Sequence, residues 1–332
     1  MQRLIVTGPC KTQFEDIPIP KCPNDGILVK TLVTAISTGT EIRVYRWIPV
    51  DHEGEMLHGG VPFPKDKTEN GYSMIGEVIE IGKDVKNFQL GDHVFLGETH
   101  KQYAAAKADQ AIKIPSNIPV EHAVMLNILG VGQIALRTGD PSMGEIVAII
   151  GLGVIGLSAL AYCKAFGINT IGIDLDKSRQ GLAKTMGADL VLSPTDPKFE
   201  NEINKISNGQ GVDIAIEAAS NWNAIKTSSD IVRRKGVVVV VARHTDMPKY
   251  NPVGHPYFSN ALNLRTVYGY DSDGNRWDKK NSTDMTIKLL SENRLQMDAM
   301  ITHKIKWNEI PEIYDRLDKG DLSIGGVIVD WR

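Results

Sequence analysis

The stretch Ile149-Ile150-Gly151-Leu152-Gly153-Val154-Ile155-Gly156, taken together with Asp174, decides the fold of the second half of this chain. An apolar run, Ile146 to Ile150, enters the Gly-x-Gly-x-x-Gly turn, and a small-residue apolar segment, Leu157 to Phe166, leaves it. A second short apolar run, Thr170 to Ile173, ends on Asp174. The order is strand, turn, helix, strand, acid, the context in which a glycine turn becomes a dinucleotide-binding fingerprint. Gly151 permits the tight turn, Gly153 lets the backbone approach a pyrophosphate, and Gly156 lets the helix pack close to the strand. The amides of Val154 and Ile155 at the helix start, with the helix dipole, favour anionic phosphates. Asp174 suits the free ribose hydroxyls of NAD and repels the 2′-phosphate of NADP, so NAD is expected. Lys177 and Arg179 follow at once and offset part of that repulsion.

Around this fingerprint the chain divides. Residues 1 to about 117 read as short strands between turns: Arg3 to Thr7, Gly26 to Ile36, Gly76 to Ile81, His93 to Leu96, Tyr103 to Ala106 and Ala111 to Ile114. Pro18, Pro20, Pro23, Gly82 and Gly91-Asp92 mark the joints, a pattern that predicts a compact β-rich barrel. From Val120 to Arg137 the apolar spacing predicts a helix. Strands and helices then alternate, with strands at Ile146–Ile150, Thr170–Ile173, Leu190–Leu192, Val212–Glu217, Val237–Val241 and Thr266–Tyr270. The last two are dense in β-branched residues, as strands buried on both faces are. A helix is expected around Thr283–Glu292 and a final strand at Gly325–Val329. The fold class is therefore α/β, with a doubly wound nucleotide domain over 139–270 and a second domain from 1–138 and 271–332.

Composition limits the class. The 332 residues suffice for two cores, and 42% apolar with 23% charged content is that of a soluble globular protein. A net charge of -3 gives no electrostatic ground for nucleic acid or an anionic membrane as partner. The opening Met1-Gln2-Arg3-Leu4-Ile5-Val6 lacks a signal-peptide pattern, and no apolar run approaches the ~20 residues of a membrane span. Cys10, Cys22 and Cys163 are far apart and odd in number, so no disulfide framework is expected and a reducing cytoplasm is the default.

A β-rich region with Gly91-Asp92-His93-Val94 near its end, a helix and then a nucleotide fold resemble the medium-chain dehydrogenase/reductase superfamily. The resemblance spans essentially the whole chain. It implies a GroES-like barrel that, with the C-terminal segment, forms a catalytic domain around an inserted Rossmann domain, with substrate bound in the cleft between them. It also implies that Val241 and Ala242 border the nicotinamide and Ala218 the adenine side. Tyr268, Gly269 and Tyr270 fall on the last strand, which in the family touches the nicotinamide and pairs subunits into a homodimer.

The chain departs from the family's zinc motifs. Where zinc members carry Cys-x-Thr/Ser-Asp, this chain has Ser37-Thr38-Gly39-Thr40-Glu41, with Thr38 at the cysteine position. Gly-His-Glu becomes Gly71-Tyr72-Ser73, and the third ligand position falls at Leu126-Asn127. These are poor zinc ligands at neutral pH, and with no cysteine between Cys22 and Cys163 the structural zinc lobe is missing too. No metal is expected at the usual place. His52, Glu53, Glu55 and His58 either bind a metal elsewhere or belong to a solvated loop. The motifs resemble a zinc-free branch that includes bacteriochlorophyllide a dehydrogenase-like members.

Without zinc, alcohol oxidation needs another way to remove the hydroxyl proton. Tyr72 stands at the implied catalytic centre, as acid/base or as space filler. A free phenol has a pKa of about 10, so it accepts a proton best if a positive neighbour lowers that value. Thr40 holds the family's relay-hydroxyl position, and Thr38 offers a second hydroxyl or fills the core. Glu41 is expected to hold Arg43 or a backbone amide. Arg43, Tyr45, Arg46 and Trp47 either line the substrate side or lie on a short surface helix. Asn127 and Tyr270 are further substrate candidates. The sequence leaves three readings open: a zinc-independent NAD-dependent dehydrogenase acting on a secondary alcohol of a sugar, cyclitol or specialised metabolite; a zinc-free enone or quinone reductase; and a nucleotide-binding protein without turnover.

Overall fold

In the computed structural model, residues 1–49, 54–57, 61–241, 244, 247–270 and 274–332 are described. The chain forms two compact units, Met1–Asn127 with Ile301–Arg332, and Ile128–Met300.

In the first unit the strand Gly26–Ile36 is the hub. It pairs antiparallel with Met74–Ile81, Tyr103–Lys107 and Gly326–Asp330, within a seven-stranded sheet. Its alternating buried residues feed two cores. Ile27 and Val29 pack with Met74, Val78, Val94 and Leu96, while Ile36 packs with Leu4, Ile313, Tyr314, Val327 and Trp331. Each such aliphatic side chain contributes roughly 1.5–3 kcal/mol on full burial. Register shifts at Leu28/Val29 and Thr31/Val33 interrupt the ladder and bend the strand, as bulges do. The C-terminal strand Gly326–Asp330 joins this sheet because its apolar residues complete the second core.

A strand not expected from the sequence, Lys11–Asp16, forms a hairpin with Gln2–Gly8. Its residues Lys-Thr-Gln-Phe-Glu-Asp are too polar to show a buried stripe, and the strand lies at a sheet edge where only one face needs covering. The expected helix from Val120 to Arg137 is two helices, Val120–Ala123 and Leu126–Gly139.

The second unit carries a six-stranded, wholly parallel sheet. Its order is Leu190–Leu192, Asn169–Ile173, Ile146–Ile150, Val212–Glu217, Val232–Val240, Asn263–Thr266. Val147, Ala148 and Ile149 have no exposed surface, as expected of a strand covered on both faces. The chain order steps outward from the central strand in both directions, the doubly wound arrangement.

Two expectations are corrected here. The last strand is Asn263–Thr266, and it stops where Thr266–Tyr270 was expected to begin. Its ladder partner ends at Val240, and Val267 makes one more amide bond to the Val240 carbonyl before pairing runs out. Tyr268, Gly269 and Tyr270 therefore lie beyond the sheet, Gly269 in the left-handed region at φ 74° and Tyr268 78% exposed. The unit boundaries also differ from 138/139 and 270/271. Residues 128–139 of the helix Leu126–Gly139 and the segment up to Met300 go with the nucleotide sheet, and buried polar contacts lock their helices together. Gln133 Nε2 donates to the Ser282 carbonyl at 3.0 Å, and the Tyr162 and Thr286 hydroxyls meet at 2.7 Å. The three cysteines are free, and among the described residues no helix is long and apolar enough to cross a membrane.

Candidate active site

The dinucleotide turn sits at the carboxyl end of Ile146–Ile150, where ligands bind in parallel α/β sheets. Gly151 has φ 93°, and a Cβ there would come within 2.6 Å of the Ala219 amide nitrogen. A Cβ on Gly156 would lie 1.9 Å from the Gly151 carbonyl oxygen, so the helix packs on its own turn only with glycine there. Gly153 is different: the nearest atom to its missing Cβ is Arg179 Nη1 at 3.9 Å. That space faces the start of the helix Val154–Ala165, which has no side-chain cap. The first-turn amides of Val154 and Ile155 are left to an anion.

Asp174 braces this turn, its Oδ2 accepting the Leu152 amide at 2.7 Å and its Oδ1 the Asp176 amide at 2.9 Å. Asp176 caps the next helix, Lys177–Thr185, which puts Lys177 in solvent and turns Arg179 back toward Gly153. Ala218 follows the next strand and donates its amide to the Ile150 carbonyl at 2.8 Å. Val241 follows the one after, its amide on the Glu217 carbonyl at 3.0 Å. Gly151, Asp174, Ala218 and Val241 thus share one edge of the sheet, a set that fits a dinucleotide. Ala242 lies outside the described residues. Glu217 escaped sequence reasoning: fully buried at the end of Val212–Glu217, it accepts the Ala219 and Ser220 amides at 2.8 and 2.7 Å and pairs with His244 at 3.0 Å. Tyr270, expected at the substrate, has its hydroxyl against Gly130 and is hydrogen-bonded to Thr283.

In the first unit the three motifs that the resemblance aligns with zinc ligands come together as a hydrogen-bonded cluster. The Tyr72 hydroxyl donates to Ser37 Oγ at 2.6 Å and is also hydrogen-bonded to Thr40. Asn127 Nδ2 donates to the Tyr72 carbonyl at 2.7 Å and to Ser73 Oγ at 3.2 Å, so it braces the Tyr72 turn. Thr38 is half-buried in the turn beside Ser37. Burial, joined by the Glu41 charge, pushes the Tyr72 phenol above its ordinary value, and the bonds to Ser37 and Thr40 pull the other way without cancelling it. Among the described residues no positive neighbour lowers the phenol within this unit, and Tyr72 keeps its proton at neutral pH.

The neighbouring candidates are engaged structurally. Glu41 holds a backbone amide, Ser37 N at 2.8 Å, while Arg43 donates to the Pro49 carbonyl at 2.9 Å. Arg46 pairs with Asp318 at 2.6 Å, and Tyr45 packs on Tyr314 with ring centroids 5.3 Å apart. Trp47, with φ 61°, meets Phe63 edge-on at 5.7 Å in a small apolar cluster with Val6, Val44 and Leu57.

The donor set does not fit zinc. A phenol, hydroxyls and an amide stand at the ligand positions and are bonded to one another. Among the described residues no group of three His, Cys, Asp or Glu side chains is placed to hold a metal. Glu55 is described, whereas His52, Glu53 and His58 lie outside the described residues.

Residues 154–283 match the family model of the zinc-binding dehydrogenases. The chain is 26% identical to the L-threonine 3-dehydrogenase of Pyrococcus furiosus, over 93% of this chain and 92% of that one. It is 29% identical to an alcohol dehydrogenase of Geobacillus stearothermophilus, over 80% of this chain and 84% of that one. In structure it resembles the 2R,3R-butanediol dehydrogenase of Bacillus subtilis, with a TM-score of 0.81, 20% identity and 99% of each chain covered. The chain is thus similar to zinc-binding-type dehydrogenases in sequence over residues 154–283 and to a butanediol dehydrogenase in fold.

Proposed function

We propose that this chain is a zinc-independent dehydrogenase that passes a hydride between NAD(H) and a secondary alcohol or ketone of a sugar, cyclitol or specialised metabolite. The observation that carries it is the hydrogen-bonded cluster of Tyr72, Ser37 and Thr40, with Tyr72 and Thr38 where the resemblance puts zinc ligands, together with a dinucleotide turn braced by Asp174. The nicotinamide, when bound, accepts or supplies the hydride. The chain's own residues handle the proton. Tyr72, protonated at neutral pH, donates a hydrogen bond and then its proton to the substrate oxygen during ketone reduction, and takes one back in the reverse direction. Thr40 and Ser37 relay that proton and hold the phenol in place. Asp174 supports NAD over NADP, because its carboxylate is aimed by two amides along the edge that takes the ribose. The exposed edge strand Asn263–Thr266 supports a homodimer formed by edge pairing.

The test is an assay of the purified protein with NADH and NADPH against panels of ketones, alcohols and enones, with metal analysis of the same sample. Turnover of a ketone with NADH and sub-stoichiometric zinc is expected. Turnover confined to enones with NADPH, or none with any substrate, overturns the reading.

A further inference from the structure

Beneath the Tyr72–Ser37 pair lies a buried polar chain that the chemistry above does not use. Glu41 and His100 are both fully buried. One carboxylate oxygen of Glu41 holds the Ser37 amide at 2.8 Å. The other stands 2.8 Å from His100 Nε2 and also accepts the Tyr314 hydroxyl. A carboxylate offers only lone pairs, so Nε2 carries the proton in that contact. His100 Nδ1 lies 2.7 Å from Thr34 Oγ1, which accepts the Trp331 indole N–H at 3.0 Å. Asn70 Nδ2 donates to the Glu41 carbonyl and to the Tyr314 hydroxyl, both at 3.1 Å.

Leaving such groups buried without partners costs several kcal/mol, so a chain of this kind persists only when its bonds are made. Once made, they restrict what they touch. His100 reaches both Ser37 and Tyr72 through a neighbour of each. Through Glu41 it fixes the amide of Ser37. Through its ring it fills the space beneath Gly71, the residue before Tyr72: at φ 95° a Cβ on Gly71 would lie 2.8 Å from His100 Cδ2. The His100 amide also bonds the Asn70 carbonyl at 3.0 Å, tying the same turn from the backbone.

We propose that His100 is a positioning residue for the Tyr72–Ser37 pair, setting the separation of the two hydroxyls through Glu41 on one side and Gly71 on the other. The proposal rests on the reading of Tyr72 as the proton-handling group. His100→Phe keeps a ring beside Gly71 and removes both hydrogen bonds, whereas His100→Gln keeps an amide donor for Glu41. The Phe variant is expected to lose about tenfold or more in kcat with the KM for NADH within about twofold, and the Gln variant to recover most of the loss. In crystal structures, the Tyr72 and Ser37 hydroxyls should part beyond hydrogen-bond distance in the Phe variant and return in the Gln variant.

If they stay bonded in His100→Phe, the proposal is overturned whatever the kinetics. Should that variant not fold, Glu41→Gln, which presents a donor where His100 needs an acceptor, must show the same split between kcat and KM; unchanged kcat there overturns it equally. A wild-type chain inactive on every alcohol and ketone sinks the proposed function instead, and the crystallographic comparison still decides the role of His100.

Discussion

Asp174 Oδ2 accepts the Leu152 amide at 2.7 Å, so the acid at the end of one strand closes the glycine turn at the end of its neighbour. The two strands run parallel in register, Ile150 beside Ile173, which brings turn and acid level. The carboxylate therefore serves the fold before any ligand arrives. Asp174→Ala should weaken NADH binding at least about tenfold and cost about 1–3 kcal/mol of stability for the amides left unmet. Fluorescence titration and urea denaturation measure the two effects; NADH affinity equal to wild type removes Asp174 from the site.

The glycines of the turn separate two roles. Gly156→Ala drives a Cβ to within 1.9 Å of the Gly151 carbonyl, against backbone that cannot swing away. A loss of several kcal/mol or failure to fold is expected. Gly153→Ala meets only the far end of Arg179 at an ordinary contact distance and should fold with near-native stability, yet bind NADH at least about tenfold more weakly, because the added methyl occupies the path of the pyrophosphate. Melting curves with titrations distinguish them, and tight NADH binding by Gly153→Ala would argue that the phosphates lie elsewhere.

Tyr72→Phe should cut turnover about a hundredfold or more while NADH affinity holds. The pH dependence follows from the direction of the shift. Burial raises the phenol above its ordinary value, so the protonated, donating form prevails through neutrality. The stability contributed by the buried neutral phenol is likewise complete below the ordinary phenol value and is lost as pH rises through the raised one. Ketone reduction should thus be flat from neutrality upward and fall only in the strongly alkaline range. A profile of kcat/KM that falls through pH 7–8, or an active Tyr72→Phe, removes Tyr72 as donor.

The hydroxyl and amide cluster at the family's zinc positions sets expectations for metal. Elemental analysis should give well under one zinc per chain, and a chelator should leave turnover unchanged. Stoichiometric zinc whose removal abolishes activity would falsify the zinc-independent reading.

Leu264 is 54% exposed on the edge strand Asn263–Thr266. If copies pair along that edge, Leu264→Glu should yield monomers by light scattering with NADH binding intact. A wild-type chain already monomeric at assay concentration disposes of the dimer.

The parts legible in the sequence are those specified by neighbours. The central strand Ile146–Ile150 follows from its short apolar run, because burial on both faces leaves no polar position to obscure it. Lys11–Asp16 was hidden for the opposite reason, being a polar edge strand. Val267 to Tyr270 has strand-like residues and no strand, since its ladder partner ends first.

By itself the sequence determined a dinucleotide turn, an acid to face it, a second β-rich unit and the loss of zinc-binding side chains, all carried by residue type and short spacing. Only the tertiary structure decided how the side chains at those positions are bonded. Tyr72 and Ser37 are 35 residues apart, Glu41 and His100 59, Thr34 and Trp331 297. His100 sits in Gly97-Glu98-Thr99-His100-Lys101, a polar run that looks like surface, yet the strands on either side fold it into the interior. Hydrogen bonds over such separations form only after the sheet has closed, so no local pattern can announce them.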